Sequence, residues 1–226
     1  EDIIEFSGKN KFGYSYVFMA TGARWRRDGI ARQHRIPIPG LDNIKVLTPD
    51  EVMDGVSSSG SVVIFDDEHY YMGGVIAEKI RLEGHKVLLV TPAPDISNWT
   101  HHTMEQGRIQ SRLLELGVEL ATQQNLVSVN SNEVELACVF TDRRIRHECD
   151  TLVLVTERLP NDEIYHDLNA RQVELKKVGI KKIKCIGDCF APGIIAASIH
   201  SGHLAAREFE EHIPEEVPFL RERVVV

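Results

Sequence analysis

The sequence predicts an α/β protein: a parallel sheet built around a Rossmann-like βαβ unit, with an added β-meander. Three observations carry this. Val62–Phe65 and Val87–Val90 are short apolar runs that read as buried strands, and Gly73–Glu83 between them is a helix pattern that stops at Gly84. Strands alternate with helices along most of the chain. Finally, Val118–Ala121, Leu126–Val129 and Val134–Val139 follow one another too closely for crossover helices, and the last two pair around Asn130–Asn132.

The elements follow in order. Tyr14–Ala20, aromatic and β-branched, is the first strand and ends at Thr21-Gly22. A loop with Pro37 and Pro39 follows. Thr48-Pro49-Asp50-Glu51 starts a short helix, with Thr48 as N-cap, Pro49 at the first position and Glu51 at the third, ending near Gly55. Ser57-Ser58-Ser59-Gly60 is a linker signal. After the βαβ unit, Thr100–Leu116 reads as one helix closed by Gly117. Arg143–Cys149 extends the meander, and its arginines alternate with Ile145 as a solvated face. Thr151–Val155 and Ile183–Ile186 are buried strands, and Pro192–His212 is the last long helix.

Composition sets the class. Lys+Arg is 26 against Asp+Glu at 34, a net charge of −8, which opposes nucleic-acid binding. No apolar run reaches membrane-span length, so no membrane partner is expected. The four cysteines form no C-x-x-C and fit reduced, mostly buried thiols in a cytoplasmic protein. Cys185 and Cys189 could be a metal or redox pair, but Cys185 sits in an apolar strand and the spacing is not that of a zinc site. The length of 226 residues corresponds to about one and a half domains. The chain opens Glu1-Asp2-Ile3-Ile4 without Met and reads as a piece of something longer.

Two places could hold a nucleotide. A Rossmann turn uses glycines for the tight turn, for pyrophosphate approach and for helix packing. Counted back from Ala77, those positions fall at Glu68, Tyr70 and Gly73, so only the packing glycine remains; Gly74 follows it. Asp66, Asp67 and Glu68 place three carboxylates where a phosphate would sit, and Val90-Thr91-Pro92 supplies no acid for a ribose hydroxyl. The turn is either a working NAD(P)H site or a Rossmann fold that has lost its ligand, and the motif's own logic favours the second. The other place combines Thr21, Gly22 and Ala23 after one strand with Gly187 and Asp188 after another. There Asp188 can accept from a hydroxyl, and the N–H groups opening the last helix, near Ile194 and Ile195, can face an anion; the plainer reading is a turn followed by a capped helix. Trp99-Thr100-His101-His102 reads as a surface helix start, because adjacent histidines do not face one another on a helix. Arg158 could meet a phosphate or a carboxylate.

These residues also carry a family resemblance over nearly the whole chain. Ala20-Thr21-Gly22-Ala23-Arg24-Trp25, Pro37-Ile38-Pro39-Gly40, Leu47 to Gly55, and Ala191-Pro192 with Gly202-His203-x-Ala205-Ala206-Arg207-Glu208 resemble the C-terminal half of the trimethylamine and dimethylamine dehydrogenases. These belong with the old-yellow-enzyme-like NADH:flavin oxidoreductases. The resemblance implies an FMN-binding barrel and a 4Fe-4S cluster on a part N-terminal to this chain, with ADP or FAD on this region and NAD(P)H doubtful. It implies the barrel as partner, a homo-oligomer at full length, and an electron-transfer protein as acceptor. Hydride would leave an N-methyl carbon of an amine or amino acid for FMN, and the present piece alone would be inactive. A flavin reductase module of the dienoyl-CoA-reductase-like branch and a non-catalytic adenine-nucleotide-binding domain are the alternatives. The implied organisation is a flavin/ADP-type domain in two segments, 1–57 and 157–226, with the Rossmann-like domain 58–156 inserted. The apolar edge at Tyr14–Ala20 would then be a liability in the isolated chain.

Overall fold

The computed structural model describes residues 13–208. In order they form β1 (Tyr16–Met19), β2 (Ala23–Trp25), β3 (Lys45–Leu47), α1 (Pro49–Met53), β4 (Ser61–Asp66), α2 (Tyr71–Leu82) and β5 (Lys86–Val90). Then come α3 (Gln106–Glu115), β6 (Glu119–Ala121), β7 (Gln124–Asn130), β8 (Glu133–Cys138), β9 (Arg144–Glu148) and β10 (Thr151–Val155). The last are β11 (Arg158–Pro160), α4 (Glu163–Ala170), α5 (Gln172–Lys177), β12 (Lys182–Cys185) and α6 (Ile195–Arg207). The chain divides into a middle unit, Arg24–Leu159, and a flanking unit, Glu1–Ala23 with Pro160–Val226.

The middle unit is built on a parallel sheet ordered β3-β10-β4-β5-β6. Leu152 sits between Val46 and Val63, and Val63 pairs in turn with Leu88. Side chains alternate along each strand, so β10 feeds both faces. Val153 and Val155 join Ile64, Ile76, Ile80 and Leu113 beneath α2 and α3. Leu152 and Leu154 join Phe65, Leu126, Val134 and Leu136 beneath the antiparallel β7-β8-β9. Cover on both faces explains why β4 and β10 are almost continuously apolar. On the outer face of the meander, Arg144 pairs with Glu135 and Arg146 with Glu133, which makes the arginine run the solvated face expected.

In the flanking unit β1 lies parallel to β12, with Tyr16 opposite Lys182 and Met19 opposite Cys185. Met19, Leu168, Leu175, Ile180, Cys185 and Cys189 form its core. Among the described residues β1 pairs on one side only, and Tyr14 and Phe18 are exposed.

Several expectations are corrected. Thr100–Leu116 is not one helix: a 3-10 turn at Asn98–His101 gives way to Met104 at φ 59°, a left-handed residue that breaks the chain before α3. The segment Val118–Ala121 does not belong to the meander. As β6 it extends the parallel sheet beside β5, and β9 supplies the third antiparallel strand. The middle unit takes in β3, which pairs with β10, and Trp25, Leu47 and Val52 are part of its core. The last helix runs Ile195–Arg207; its expected continuation to His212 lies outside the described residues. Short elements β2, β3, β11, α4 and α5 carry too few periodic residues to stand out in the sequence.

The start of α1 forms as expected. Thr48 accepts from the Glu51 N–H while the Glu51 carboxylate accepts from the Thr48 N–H, a reciprocal capping box. Thr48→Ala should lower stability by about 1 kcal/mol, and Thr48→Ser should retain most of it. The midpoints of urea unfolding check both.

Candidate functional site

In the flanking unit, parallel pairing of β1 with β12 brings the carboxyl ends of the two strands together. Thr21 and Gly22 follow β1; Gly187 and Asp188 follow β12. Ile186 N–H donates to Met19 O at 2.9 Å, holding the two exits in step. The Thr21 hydroxyl donates to the Asn161 carbonyl and lies 3.1 Å from Cys189 Sγ. Asn161 returns two bonds, Nδ2 to Thr21 O at 3.1 Å and N–H to Gly22 O at 2.9 Å. Gly22 is left-handed at φ 75°, and among the described residues no atom lies within 4 Å of where a Cβ would project, which leaves its backbone room for close approach. Gly187, at φ 62°, donates its N–H to Ser201 Oγ at 2.9 Å. Asp188 Oδ1 accepts from Gly193 N–H at 3.2 Å and Ser198 Oγ at 2.8 Å, which fixes the carboxylate at the start of α6. Ile194 is the N-cap residue and makes no side-chain cap, and Ile195 is 80% exposed, so the first N–H groups of α6 are not covered by side chains at these positions. All the expected residues of this turn, Thr21 to Ala23 with Gly187, Asp188, Ile194 and Ile195, fall within the flanking unit.

The turn between β4 and α2 is arranged differently. Asp66 is fully buried, and its Oδ1 accepts from the N–H groups of Glu68 (3.1 Å) and His69 (2.9 Å). The carboxylate thus takes the amides that a Rossmann turn would offer to phosphate. Its Oδ2 lies against Gly73, where an added Cβ would fall 2.5 Å away. Gly73 is therefore needed for its own neighbour's side chain. Gly74 is set close against Ile109 of α3. Asp67 is also fully buried: Oδ2 accepts from Gln33 N–H at 2.8 Å, and Oδ1 is 3.3 Å from His69 Nε2, an ion-pair separation without hydrogen-bond geometry. His69 is left-handed at φ 69°, with Nδ1 3.2 Å from Thr91 Oγ1 and its carbonyl accepting from Trp99 N–H. Thr91, directly after β5, thus faces the turn.

Burial pushes the Asp66 carboxyl up to about 7, aided by the Glu68 charge and opposed by its two amide bonds. Burial likewise raises Glu68, countered by Arg158 and Arg32. Arg158 therefore acts on a carboxylate; it also lies 5.3 Å from the Trp25 ring. His101 is held by Asp95 at 3.1 Å, and Arg32 stacks on Trp99. Among the described residues no cluster of three or more His, Cys, Asp or Glu could hold a metal.

The carboxylates Asp66, Asp67 and Glu68 at this turn are legible in the sequence, whereas the choice of Asp66 as acceptor of the Glu68 and His69 amides, and the contacts of Gln33, His69 and Thr91, are not. An Asp that caps amides two and three residues on is a local Asx signal, and it was the available clue.

The fold is a mixed α/β fold with a parallel sheet, and residues 47–151 match the family described as the OYE-like second alpha/beta domain. Particular relatives follow. The chain is 33% identical, over 94% of its length, to dimethylamine dehydrogenase from Hyphomicrobium sp. (strain x). It superposes on histamine dehydrogenase from Rhizobium sp. 4-9 with a TM-score of 0.91, 43% identity and 95% coverage of the chain. It superposes on 6-hydroxypseudooxynicotine amine oxidase from Pseudomonas geniculata N1 with a TM-score of 0.85, 34% identity and 92% coverage. The chain spans about a third of each: 32%, 34% and 31%. Among the described residues no helix is long and apolar enough to cross a membrane.

A raised acid pKa gives a signed expectation. The native state holds a proton on Asp66 that the unfolded chain has lost above the ordinary 3.8. The associated stability is complete below that value and is lost as pH rises through about 7. The unfolding temperature of the wild type should therefore fall as pH rises between these limits, relative to Asp66→Asn, in which that slope is removed.

Proposed function

We propose that this chain is the nucleotide-holding region of a flavin- and iron–sulfur-dependent enzyme that oxidises N-methylated amines or amino acids. The observation that carries the reading is the Asp66 carboxylate inside the β4–α2 turn. A reductant such as NADH or NADPH needs those amides for its pyrophosphate, and the protein has already spent them on its own side chain. An oxidoreductase of this kind takes its electrons from the substrate, in keeping with the amine chemistry named for all three relatives.

The residues at the other turn fit ADP or FAD. Gly22 allows backbone approach, the N-terminus of α6 favours an anion, and Asp188 is fixed nearby as an acceptor for a hydroxyl. Thr21 and Asn161 hold the turn in shape. FMN and the 4Fe-4S cluster, on a barrel preceding this region, would supply hydride acceptance and electron exit. The residues described here bind and orient; none is assigned to bond breaking.

Two measurements on the full-length protein test this. Denaturation should release ADP or FAD in addition to FMN, and Asp188→Ala should lose that nucleotide while FMN stays. Anaerobic addition of an N-methylated amine should bleach the flavin, whereas NADH and NADPH should not. Rapid bleaching by either pyridine nucleotide would overturn the reading.

A further inference from the structure

The flanking unit contains a pair of thiols in contact that the proposed function does not use. β12 ends at Cys185, Gly187 turns the chain at φ 62°, and the 3-10 turn Gly187–Cys189 carries Cys189 back beneath the strand end. The two Sγ atoms stand 3.2 Å apart. A disulfide needs about 2.05 Å, so closure asks for roughly 1 Å of sulfur movement, within reach of small χ1 rotations. The other two cysteines, Cys138 and Cys149, lie in the middle unit.

We propose that Cys185 and Cys189 are a reversible dithiol–disulfide pair, oxidised by low-molecular-weight disulfides of the glutathione type. Both thiols are buried, yet both line a cavity of about 580 Å³, bordered also by Tyr165, Lys184, Phe190 and Leu204, which gives a small reagent a way in. The sulfurs are not equivalent. Cys189 Sγ lies 3.1 Å from the Thr21 hydroxyl oxygen, whose proton is given to the Asn161 carbonyl. Burial, with the neighbouring Cys189 sulfur second, pushes the Cys185 thiol up to about 12. Cys189 is therefore the attacking sulfur and Cys185 the resolving one. The neighbour's contribution to Cys185 is removed once Cys189 is capped, and contact with the target sulfur compensates for the poor acidity that remains.

The steps balance. Cys189 thiolate attacks one sulfur of the small disulfide; that S–S bond breaks and one small thiolate leaves and takes a proton. Cys185 gives up its proton and attacks Cys189 Sγ, expelling the second small thiol. Two protein thiols and one disulfide become one protein disulfide and two small thiols. The ring formed encloses Ile186, Gly187 and Asp188, so oxidation would lock the turn that caps α6.

The sequence makes the test simple: no Lys or Arg lies between Lys184 and Arg207, so both cysteines fall on one tryptic peptide, Cys185–Arg207. The intact chain is incubated with glutathione disulfide, quenched with an alkylating agent, digested and weighed. The expected result is a Cys185–Arg207 peptide lighter by two hydrogens, restored by dithiothreitol. The half-exposed Cys138, which has no partner sulfur, serves as the reference for simple mixed-disulfide formation. Cys185→Ser should trap glutathione on Cys189, and Cys189→Ser should leave Cys185 unmodified. The proposal is overturned if the wild-type peptide stays reduced while Cys138 is modified, or if it keeps glutathione without closing. The wild-type masses decide the matter even where a variant fails to fold, and they do not depend on which nucleotide the region holds.

Discussion

A carboxylate sealed from water inside a strand-to-helix turn is the constraint on which the middle unit is organised. Asp66 must find its donors within the protein, because a buried polar group left unpaired is costly. It finds them in the amides of Glu68 and His69, and this fixes the path of the loop. That path places His69 in a left-handed conformation between Asp67 and Thr91, and lets its carbonyl receive Trp99. Gly73 is required because Asp66 Oδ2 occupies the space a side chain would take. The Asp66 side chain thus accounts for the glycine at position 73.

The turn of the flanking unit serves as the contrast. It is the same kind of place, the carboxyl end of parallel strands before a helix. Here, however, the acid, Asp188, reaches forward to Gly193 and Ser198 and does not fold into the turn. Among the described residues nothing fills the space in front of the Gly22 backbone. The two turns differ in where one aspartate of each makes its hydrogen bonds.

How much of this could be read from the sequence depended on the range of the forces involved. The capping box at Thr48 and Glu51 and the buried strands β4 and β10 are specified by nearby residues or by unbroken apolar runs, and they were legible. The break at Met104 was not, because a left-handed residue inside a helix-like composition leaves no apolar signature. Nor was β3: it has three residues, and its place in the sheet is set by pairing with β10, more than a hundred positions away. In the candidate sites, glycines and carboxylates could be counted, but which amides each carboxylate accepts from is decided only by the folded loop. Cys185 could be assigned to a buried strand, whereas its contact with Cys189 depends on the turn at Gly187.

Hydrogen exchange at the amides of Glu68 and His69 tests the central claim most directly. If Asp66 holds these two donors, they exchange slowly in the nucleotide-free protein, and saturating NADH or NADPH leaves their rates unchanged. Fast exchange without nucleotide, slowed on adding either one, would contradict the account, since the amides would then be offered to a ligand and not to the protein's own carboxylate.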